Sequence, residues 1–154
     1  MNQLQSAVEQ LLNKKEYHPA IVELLHLILE GKMVGVERDK VLSAHNIRRI
    51  SDVKEHTLPI IIDYAKICLE DGFLGDNEMN NVKMLKLFFG IEEGDFYKNN
   101  LKTQVDEIIV LQLRNIYADG VVDKYEALHL GELQNLFGLS FDQFELIVNR
   151  LVSQ

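Results

Sequence analysis

The sequence predicts an all-α fold, a compact bundle of about seven to nine helices, and three observations carry this prediction. The 154-residue chain is rich in helix-forming residues and has only two prolines and nine glycines. Apolar residues recur at helical spacing, as Leu4, Val8 and Leu11 do in the first segment. No stretch alternates apolar and polar residues with the period of two that a half-buried strand requires. We therefore expect helices and no sheet.

Local signals divide the N-terminal third into helices. The first helix ends at Tyr17-His18-Pro19, and Pro19 suits the first turn of a second helix, where its missing N–H costs nothing. This second helix is apolar on nearly all sides and ends at Gly31, so we expect it at the centre of the core. A shorter helix should run from about Val36 to Ser43, and residues 51–54 should add one turn.

The remaining helices follow from capping residues, glycines and periodicity. Thr57 is expected to cap the next helix, with Pro59 in its first turn, and Asp71-Gly72 ends that helix. Later helices should run from about Asp76 to Phe89, Glu93 to Asn99, Thr103 to Ala118 and Asp123 to Phe137. Ser140-Phe141-Asp142-Gln143 fits a capping box, so a last helix starts after Ser140.

An internal repeat is the strongest organisational signal. The shift that places Asp71 on Asp119 aligns the chain with itself without a gap, matching acid-glycine turns, helix-ending glycines and apolar positions. The identical pairs are Asp71-Gly72 with Asp119-Gly120, Glu78 with Glu126, Leu85 with Leu133, Phe89-Gly90 with Phe137-Gly138, and Phe96 with Phe144. We infer two copies of one helical hairpin, at about residues 57–99 and 103–150, related by a pseudo-twofold axis within a single domain of residues 1–154.

Composition and charge exclude several classes of function. The net charge of −8 disfavours a nucleic-acid-binding surface. Residues 51–154 hold nine Lys and Arg against eighteen Asp and Glu, so the acidity belongs to the repeats. The single cysteine, Cys68, excludes an intrachain disulfide and should be a buried thiol. No membrane-length apolar run and no signal-peptide pattern is present, so we expect a cytoplasmic protein without a transmembrane segment.

Each copy contains an Asp-Gly-x-x-x-x-x-Glu unit whose carboxylates are candidate metal ligands. Asp71 and Asp119 would stand at a helix C-terminus, where the helix dipole disfavours negative charge, so a cation, a basic side chain or N–H groups of the next helix should compensate. Glu78 and Glu126 would fall in the first turn of the next helix, and Asp123 precedes Glu126 at capping-box spacing. Two interpretations stay open: the acids only cap turns, or they share one calcium or magnesium ion, since hard carboxylates favour these cations.

An EF-hand is the nearest known loop, and the sequence argues against it. Residues 119–126 match the second half of an EF-hand loop, including its glycine, its apolar residue and its closing glutamate. The first half fails, because Tyr117 stands where an acid is required, and Ile67 and Leu69 supply no ligand in the first copy. A site shared between the copies is therefore the cation hypothesis that remains.

The paired helix-Asp-Gly-x-x-x-x-x-Glu-helix-Gly pattern resembles the tellurite-resistance TerB-like family over about residues 57–150. Its best block is Tyr117-Ala118-Asp119-Gly120-Val121-Val122-Asp123-Lys124-Tyr125-Glu126, followed by Leu136-Phe137-Gly138-Leu139-Ser140. The resemblance implies an all-helical pseudo-twofold bundle with a stress-related or scaffolding role, and it identifies no reaction. The metal-binding positions that it implies are Asp71, Glu78, Asp119 and Glu126. Gly75 stands where the second copy has Asp123, which weakens the first half-site.

The leading functional hypothesis is a non-enzymatic helical module that presents an acidic surface to a divalent cation or to a protein partner. Homodimerisation is one form that such a partnership could take. The first alternative is a purely structural interaction domain in which the acids serve only as caps. No Gly-x-Ser-x-Gly, P-loop or Gly-x-Gly-x-x-Gly motif indicates a catalytic nucleophile or a nucleotide site.

The second alternative is a carboxylate-bridged di-iron oxidase. Glu23-x-x-His26 and Glu126-x-x-His129 repeat a ligand spacing that such helical bundles use, although Glu9 and Glu16 on the preceding helix are poorly spaced. Otherwise we expect His26 to pack in or beside the core and His129 to be solvated. The remaining side-chain expectations are a solvated Arg48-Arg49 pair and an aromatic core formed by Phe88, Phe89, Phe137, Phe141 and Phe144.

Overall fold

The computed structural model confirms the all-α prediction. It describes residues 2–70, 74–116 and 124–152, without the side chains of residues 116, 124–128, 151 and 152, and within these ranges it contains nine α-helices and no strand. The helices are α1 (Gln3–Lys14), α2 (Pro19–Leu29), α3 (Gly35–Ala44), α4 (Lys54–Leu69), α5 (Asp76–Phe88), α6 (Asp95–Lys98), α7 (Lys102–Ile116), α8 (Lys124–Leu136) and α9 (Phe141–Val152), and a 3₁₀ helix occupies Ile50–Val53. None of these helices is long and apolar enough to cross a membrane.

The chain divides into two compact units. Unit 1 comprises Met1–Tyr64 and Asn80–Ile91, and unit 2 comprises Ala65–Met79 and Glu92–Gln154. The second sequence copy, residues 103–150, lies wholly in unit 2, whereas the first copy is divided between the two units. The prediction of a single domain stays a prediction.

Unit 1 is built around α2, which contacts both α1 and α3. The helix has almost no polar face, so packing on two sides removes most of its apolar surface from water. Its fully buried residues are Ala20, Ile21, Leu24 and Leu25. The central position predicted for this helix is confirmed.

The core of unit 2 is formed by apolar faces of α6, α7, α9 and the end of α8. Helix α7 contacts α6 and α9, and it buries Val105, Ile108, Ile109 and Leu113. The Phe96 and Phe137 rings meet edge to face, with centroids 5.5 Å apart. These two aromatic residues therefore anchor the ends of α6 and α8 in the same core.

The start of α4 differs from the prediction. The helix begins at Lys54, directly after the 3₁₀ helix, so Thr57 lies inside it and is not its cap. Thr57 is fully buried, and its hydroxyl has no hydrogen-bond partner among the residues that the structure describes. Pro59 is the sixth helical residue rather than part of the first turn. Because the 3₁₀ helix continues into α4, its backbone replaces the side-chain cap that we expected.

The two copies end their second long helix in the same way, at the predicted glycines. Gly90 and Gly138 have φ angles of 64° and 66°, which glycine adopts without strain. At each end two N–H groups donate back to carbonyl oxygens at repeat-equivalent positions, in the Schellman pattern. These bonds are Gly90 to Leu87 and Ile91 to Lys86 in the first copy, and Gly138 to Asn135 and Leu139 to Gln134 in the second.

The start of α9 is also as predicted. The Gln143 backbone N–H donates to the Ser140 hydroxyl at 3.1 Å, and the Ser140 N–H donates to the Gln143 amide oxygen at 2.8 Å. This reciprocal pair is the capping box expected from the sequence. It fixes the position of the first turn of α9 and thereby of Phe141, the first helical residue.

The predicted aromatic core has one exception. Phe88, Phe89, Phe137 and Phe144 are buried, but 67% of Phe141 is exposed. Phe141 lies about 120° around α9 from the buried Ile147, because these residues are six positions apart on a helix of 3.6 residues per turn. Helical spacing to Phe144 was therefore not enough to place it in the core. Two other expectations hold, since Cys68 is buried and the Arg48-Arg49 pair is exposed.

Candidate functional site

All five predicted metal ligands belong to unit 2. Glu78 lies in the first turn of α5, as expected, and its side chain is half-buried. Glu126 lies in α8, but the structure does not describe its side chain. Asp71, Asp119 and Asp123 lie outside the described residues. Within the described ranges no three His, Cys, Asp or Glu side chains are arranged to hold a metal ion. The shared cation site therefore stays a prediction.

The helices that flank the two acidic turns are in register. Helix α5 begins at Asp76 and α8 begins at Lys124, which are repeat-equivalent positions, so Glu78 and Glu126 are each the third residue of their helices. The preceding helices, α4 and α7, end at Leu69 and Ile116. Each acidic turn thus joins the C-terminus of one helix to the N-terminus of the next, which is the arrangement that the sequence predicted.

A buried amide of α7 holds the backbone just before α5. The Gln112 side chain is fully buried, and its Oε1 accepts the Leu74 N–H at 2.9 Å. Its Nε2 lies 3.4 Å from the Leu74 carbonyl oxygen, to which it donates. Leu74 precedes the first residue of α5 by two positions. Gln112 therefore fixes the entry of the chain into α5 with both of its amide atoms.

The same amide positions a buried histidine. His129 of α8 is 3% exposed, and its Nε2 lies 2.8 Å from Gln112 Nε2. Because Gln112 Oε1 already accepts the Leu74 N–H, the amide nitrogen is the atom that faces His129 Nε2 and donates to it. His129 Nδ1 lies 3.9 Å from Oδ1 of Asp76, the first residue of α5. Residues of α7 and α8 thus meet the start of α5.

The expected environments of the two motif histidines are reversed. His26 is exposed on α2, and His129 is buried, although we expected it to be solvated. His26 shares the exposed side of its helix with Glu23. Gln112 binds Nε2 of the buried His129, and this partner on another helix is invisible in the sequence around the histidine.

Unit 1 has a polar pair at the equivalent positions. The register of the repeat relates Tyr64 to Gln112 and Asn81 to His129. Asn81 Nδ2 donates to the Tyr64 hydroxyl at 2.8 Å, and this hydroxyl donates to the Gln3 amide oxygen. Each copy therefore joins the same two helical positions by a hydrogen bond. Sequence comparison missed this pair because the residue types differ, although polar residues at matched positions in apolar stripes were a usable signal.

A second polar cluster in unit 2 centres on Asp106. Its carboxylate accepts the Tyr97 hydroxyl and the Lys102 ammonium, both at 2.7 Å, and Arg150 Nη2 lies 3.5 Å away. Burial first, and then the hydrogen bond and negative charge of Asp106, raise the pKa of Tyr97 above its ordinary value. The phenol thus stays protonated and acts as a hydrogen-bond donor that ties α6 to α7.

Unit 1 repeats this arrangement with other residues. The Asp63 carboxylate accepts Lys15 Nζ at 2.7 Å and the Tyr17 hydroxyl at 3.4 Å. Burial, followed by the charge and hydrogen bond of Asp63, raises the pKa of Tyr17 to about 12. In both units a Lys, an Asp and a Tyr join separate segments. A protonated phenol of this kind is a structural donor and a poor general base.

Three of the five histidines gather on unit 1. The ring centroid of His18 lies 5.2 Å from that of His56 and 6.4 Å from that of His45. His18 Nδ1 accepts the Ala20 N–H at 3.1 Å and so caps α2, while His45 Nε2 lies 2.7 Å from Glu23 Oε2. His18 and His45 therefore already have structural partners, and Glu23 of the first Glu-x-x-His motif is engaged by His45.

The other residues of the di-iron alternative divide between the two units. Glu9, Glu16 and His26 line one open groove of about 600 Å³ on unit 1. Glu126 and His129 belong to unit 2, and His129 Nε2 is occupied by Gln112. Among the candidate iron ligands that the structure describes, Glu23 and His129 already form hydrogen bonds. Glu9, Glu16 and His26 line an open surface groove.

Comparisons of the chain with models of protein families, with curated proteins and with solved structures found no match. The TerB-like resemblance accordingly rests on the motifs in the sequence.

Proposed function

We propose that this chain is a non-enzymatic helical scaffolding module, of the kind that the TerB-like resemblance implies, and that unit 2 binds a divalent cation through its two acidic turns. The charge distribution supports this proposal. Unit 2 contains six Lys and Arg against fifteen Asp and Glu, a net charge of −9, whereas unit 1 contains ten against nine. A cation bound in unit 2 would relieve part of this repulsion.

The observation that carries the proposal is the packing around the start of α5. Gln112 of α7 binds the Leu74 backbone, and His129 of α8 lies 3.9 Å from Asp76. Helices α7 and α8 are the two that flank the second acidic turn, and α5 follows the first. A site shared by both turns requires this proximity. The carboxylate oxygens available there favour calcium or magnesium over softer metals.

An NMR titration with calcium or magnesium tests the proposal. Saturable shifts of the amides around Gly72 and Gly120 are expected, while those around Gly31, a glycine helix end of unit 1, should not move. Amides that stay still around both unit 2 glycines at millimolar metal would defeat the cation proposal.

Substitution of Asp119 distinguishes a role as a metal ligand from a role as a helix cap. Asp119→Asn keeps an oxygen for the turn and removes the charge, so we expect at least about tenfold weaker metal binding with little loss of stability. Asp142→Asn, at an exposed acid in the first turn of α9, is the matched control and should not change metal binding. Equal metal affinity of the Asp119→Asn variant and the native protein would exclude Asp119 as a ligand.

A purely structural interaction domain is the second candidate, and the exposed apolar side chains of the described residues favour it. In that case Asp119→Ala lowers the free energy of unfolding by about 0.5–2 kcal/mol, as for a lost cap, and calcium does not restore it. Urea unfolding with and without calcium measures the difference. Restoration of stability by calcium in the native protein and not in the variant would favour the cation proposal.

A further inference from the structure

The first relevant surface is a groove on unit 1 between α3 and α5, with a volume of about 300 Å³. Its lining residues are Met33, Gly35, Arg38, Met84, Leu87 and Phe88. Leu87 is 79% exposed and Met84 46%, and the adjoining Val34 and Val36 are 53% and 69% exposed. This concentration of exposed apolar side chains is typical of an interaction surface.

The groove has a positively charged edge. Arg38 Nη1 donates to the Phe88 carbonyl oxygen at 2.9 Å, and its Nε forms an ion pair with Asp39 at 3.1 Å. These contacts fix the guanidinium in place, and Asp39 offsets part of its charge. No residue that the structure describes binds its remaining nitrogen, Nη2. Lys83 is exposed and forms no ion pair with a described residue. It precedes Leu87 by four positions, so both lie on one face of α5.

The second surface is the outward half of α9 on unit 2. Phe141 is 67% exposed and Leu146 is 62% exposed. The five positions from Phe141 to Leu146 advance the helix by about 7.5 Å. Asp142 and Glu145 project between these two side chains, and neither forms an ion pair with a residue inside the described ranges. This surface therefore combines two apolar anchors with two exposed acidic side chains.

We propose that the outward face of α9 in one copy of this chain docks in the α3–α5 groove of a second copy. The two faces contain six of the seven large apolar side chains that are exposed among the described residues. Their charges are complementary, since Arg38 and Lys83 would meet Asp142 and Glu145. The helix would enter the groove with its apolar side chains as anchors.

The charges, as well as the shape, indicate that α9 of a second copy occupies the α3–α5 groove. A symmetric pairing of two grooves would oppose Arg38 and Lys83 to themselves, and a pairing of two α9 faces would oppose Asp142 and Glu145 to themselves. Only the unlike pairing joins opposite charges. It is heterologous, so it propagates from copy to copy and generates a ring or an open chain. The proposal uses a surface outside the acidic turns and does not depend on cation binding.

Two substitutions test the proposal because each removes one face. Leu87→Glu places a charge in the groove, and Leu146→Glu places a charge on α9. The native protein should show a mass of a dimer or more in light scattering at high concentration, because a closed ring contains at least two copies, and each variant alone should be monomeric. An equimolar mixture of the variants should form a one-to-one dimer and nothing larger, because the intact α9 of the first fits the intact groove of the second.

Three outcomes would overturn the proposal. These are a native protein that is monomeric at every concentration, a mixture of the two variants that stays monomeric, and a Leu146→Glu variant that still dimerises by itself. Circular dichroism of each variant confirms folding. Leu111→Glu, at the seventh exposed apolar residue, is the matched control and should assemble like the native protein.

Charge reversal provides a second test that leaves the apolar anchors intact. Lys83→Glu alone and Glu145→Lys alone should each weaken assembly by about tenfold or more. The double variant should recover assembly, since every interface again joins unlike charges. A double variant weaker than both single variants would refute this pairing of the two faces.

Discussion

Units 1 and 2 position their helices through the same kinds of structural feature, but they differ in charge. Each unit has a glycine helix end in the Schellman pattern, a hydrogen-bonded polar pair at repeat-equivalent positions and a Lys–Asp–Tyr cluster. Unit 1 has ten basic against nine acidic residues, whereas unit 2 has six against fifteen. Since the structural devices are shared, they do not account for the acidity of unit 2. The proposed cation site depends on this excess of carboxylates in unit 2.

The polar pairs show a second difference, in burial. Gln112 and His129 are 0% and 3% exposed, whereas in the unit 1 pair Tyr64 is 0% exposed and Asn81 is half-buried. The Tyr64 hydroxyl keeps its hydrogen bond to Gln3 when Asn81 is removed. In unit 2 the loss of Gln112 leaves the buried His129 Nε2 without that bond, so it bears the full cost of desolvation.

Removing Gln112 should give the largest loss of stability. Gln112→Leu leaves the Leu74 N–H and His129 Nε2 without the bonds that Gln112 supplies, and we expect the free energy of unfolding to fall by about 3 kcal/mol. Asn81→Ala in unit 1 should lower it by about 1 kcal/mol. Urea unfolding followed by circular dichroism measures both. Equal losses would show that burial does not distinguish the two pairs.

Substitution of the two helix-ending glycines by alanine should also lower stability by different amounts. At Gly138 an added Cβ would lie 2.7 Å from the Gly94 backbone nitrogen, whereas at Gly90 it would lie 3.0 Å from a terminal methyl group of Ile50. Both positions have positive φ, which costs about 1–2 kcal/mol for a residue with a Cβ. We expect Gly138→Ala to cost about 1 kcal/mol more than Gly90→Ala, because backbone yields less than a side chain. Thermal unfolding of the two variants tests this order.

The smallest effect on stability should come from the tyrosines of the two Lys–Asp–Tyr clusters. It should appear at alkaline pH. The pKa of Tyr17 is raised to about 12, so the folded state keeps a proton that the unfolded state loses near pH 10. This contribution to stability is complete below about pH 10 and falls as the pH rises from about 10 to about 12. Tyr97 should behave in the same sense, because its pKa is raised by the same causes.

Ultraviolet absorbance at alkaline pH checks this prediction. Tyrosinate formation in the native protein should include a late phase that Tyr17→Phe and Tyr97→Phe each reduce. The decline of stability above pH 10 should be shallower in each variant. A native protein whose tyrosines all ionise together near pH 10 would contradict the role given to Asp63 and Asp106.

Local sequence determined the helices of this protein and most of their ends. The capping box of Ser140, the glycine ends at Gly90 and Gly138 and the register of the repeat all depend on residues within a few positions of one another. Interactions over so short a distance are encoded in the sequence of each segment. The third-residue positions of Glu78 and Glu126 could be predicted for the same reason.

Tertiary structure alone decided which polar and aromatic side chains are buried. His129 is buried because Gln112 lies on a neighbouring helix, and Phe141 is exposed because no helix covers its side of α9 within the described residues. Thr57 lies inside α4 because the preceding 3₁₀ helix, and not its own hydroxyl, begins that helix. The pairing of Tyr64 with Asn81 and the division into two units likewise join residues far apart in the chain. Burial depends on these distant partners, and the periodicity of one segment contains no information about them.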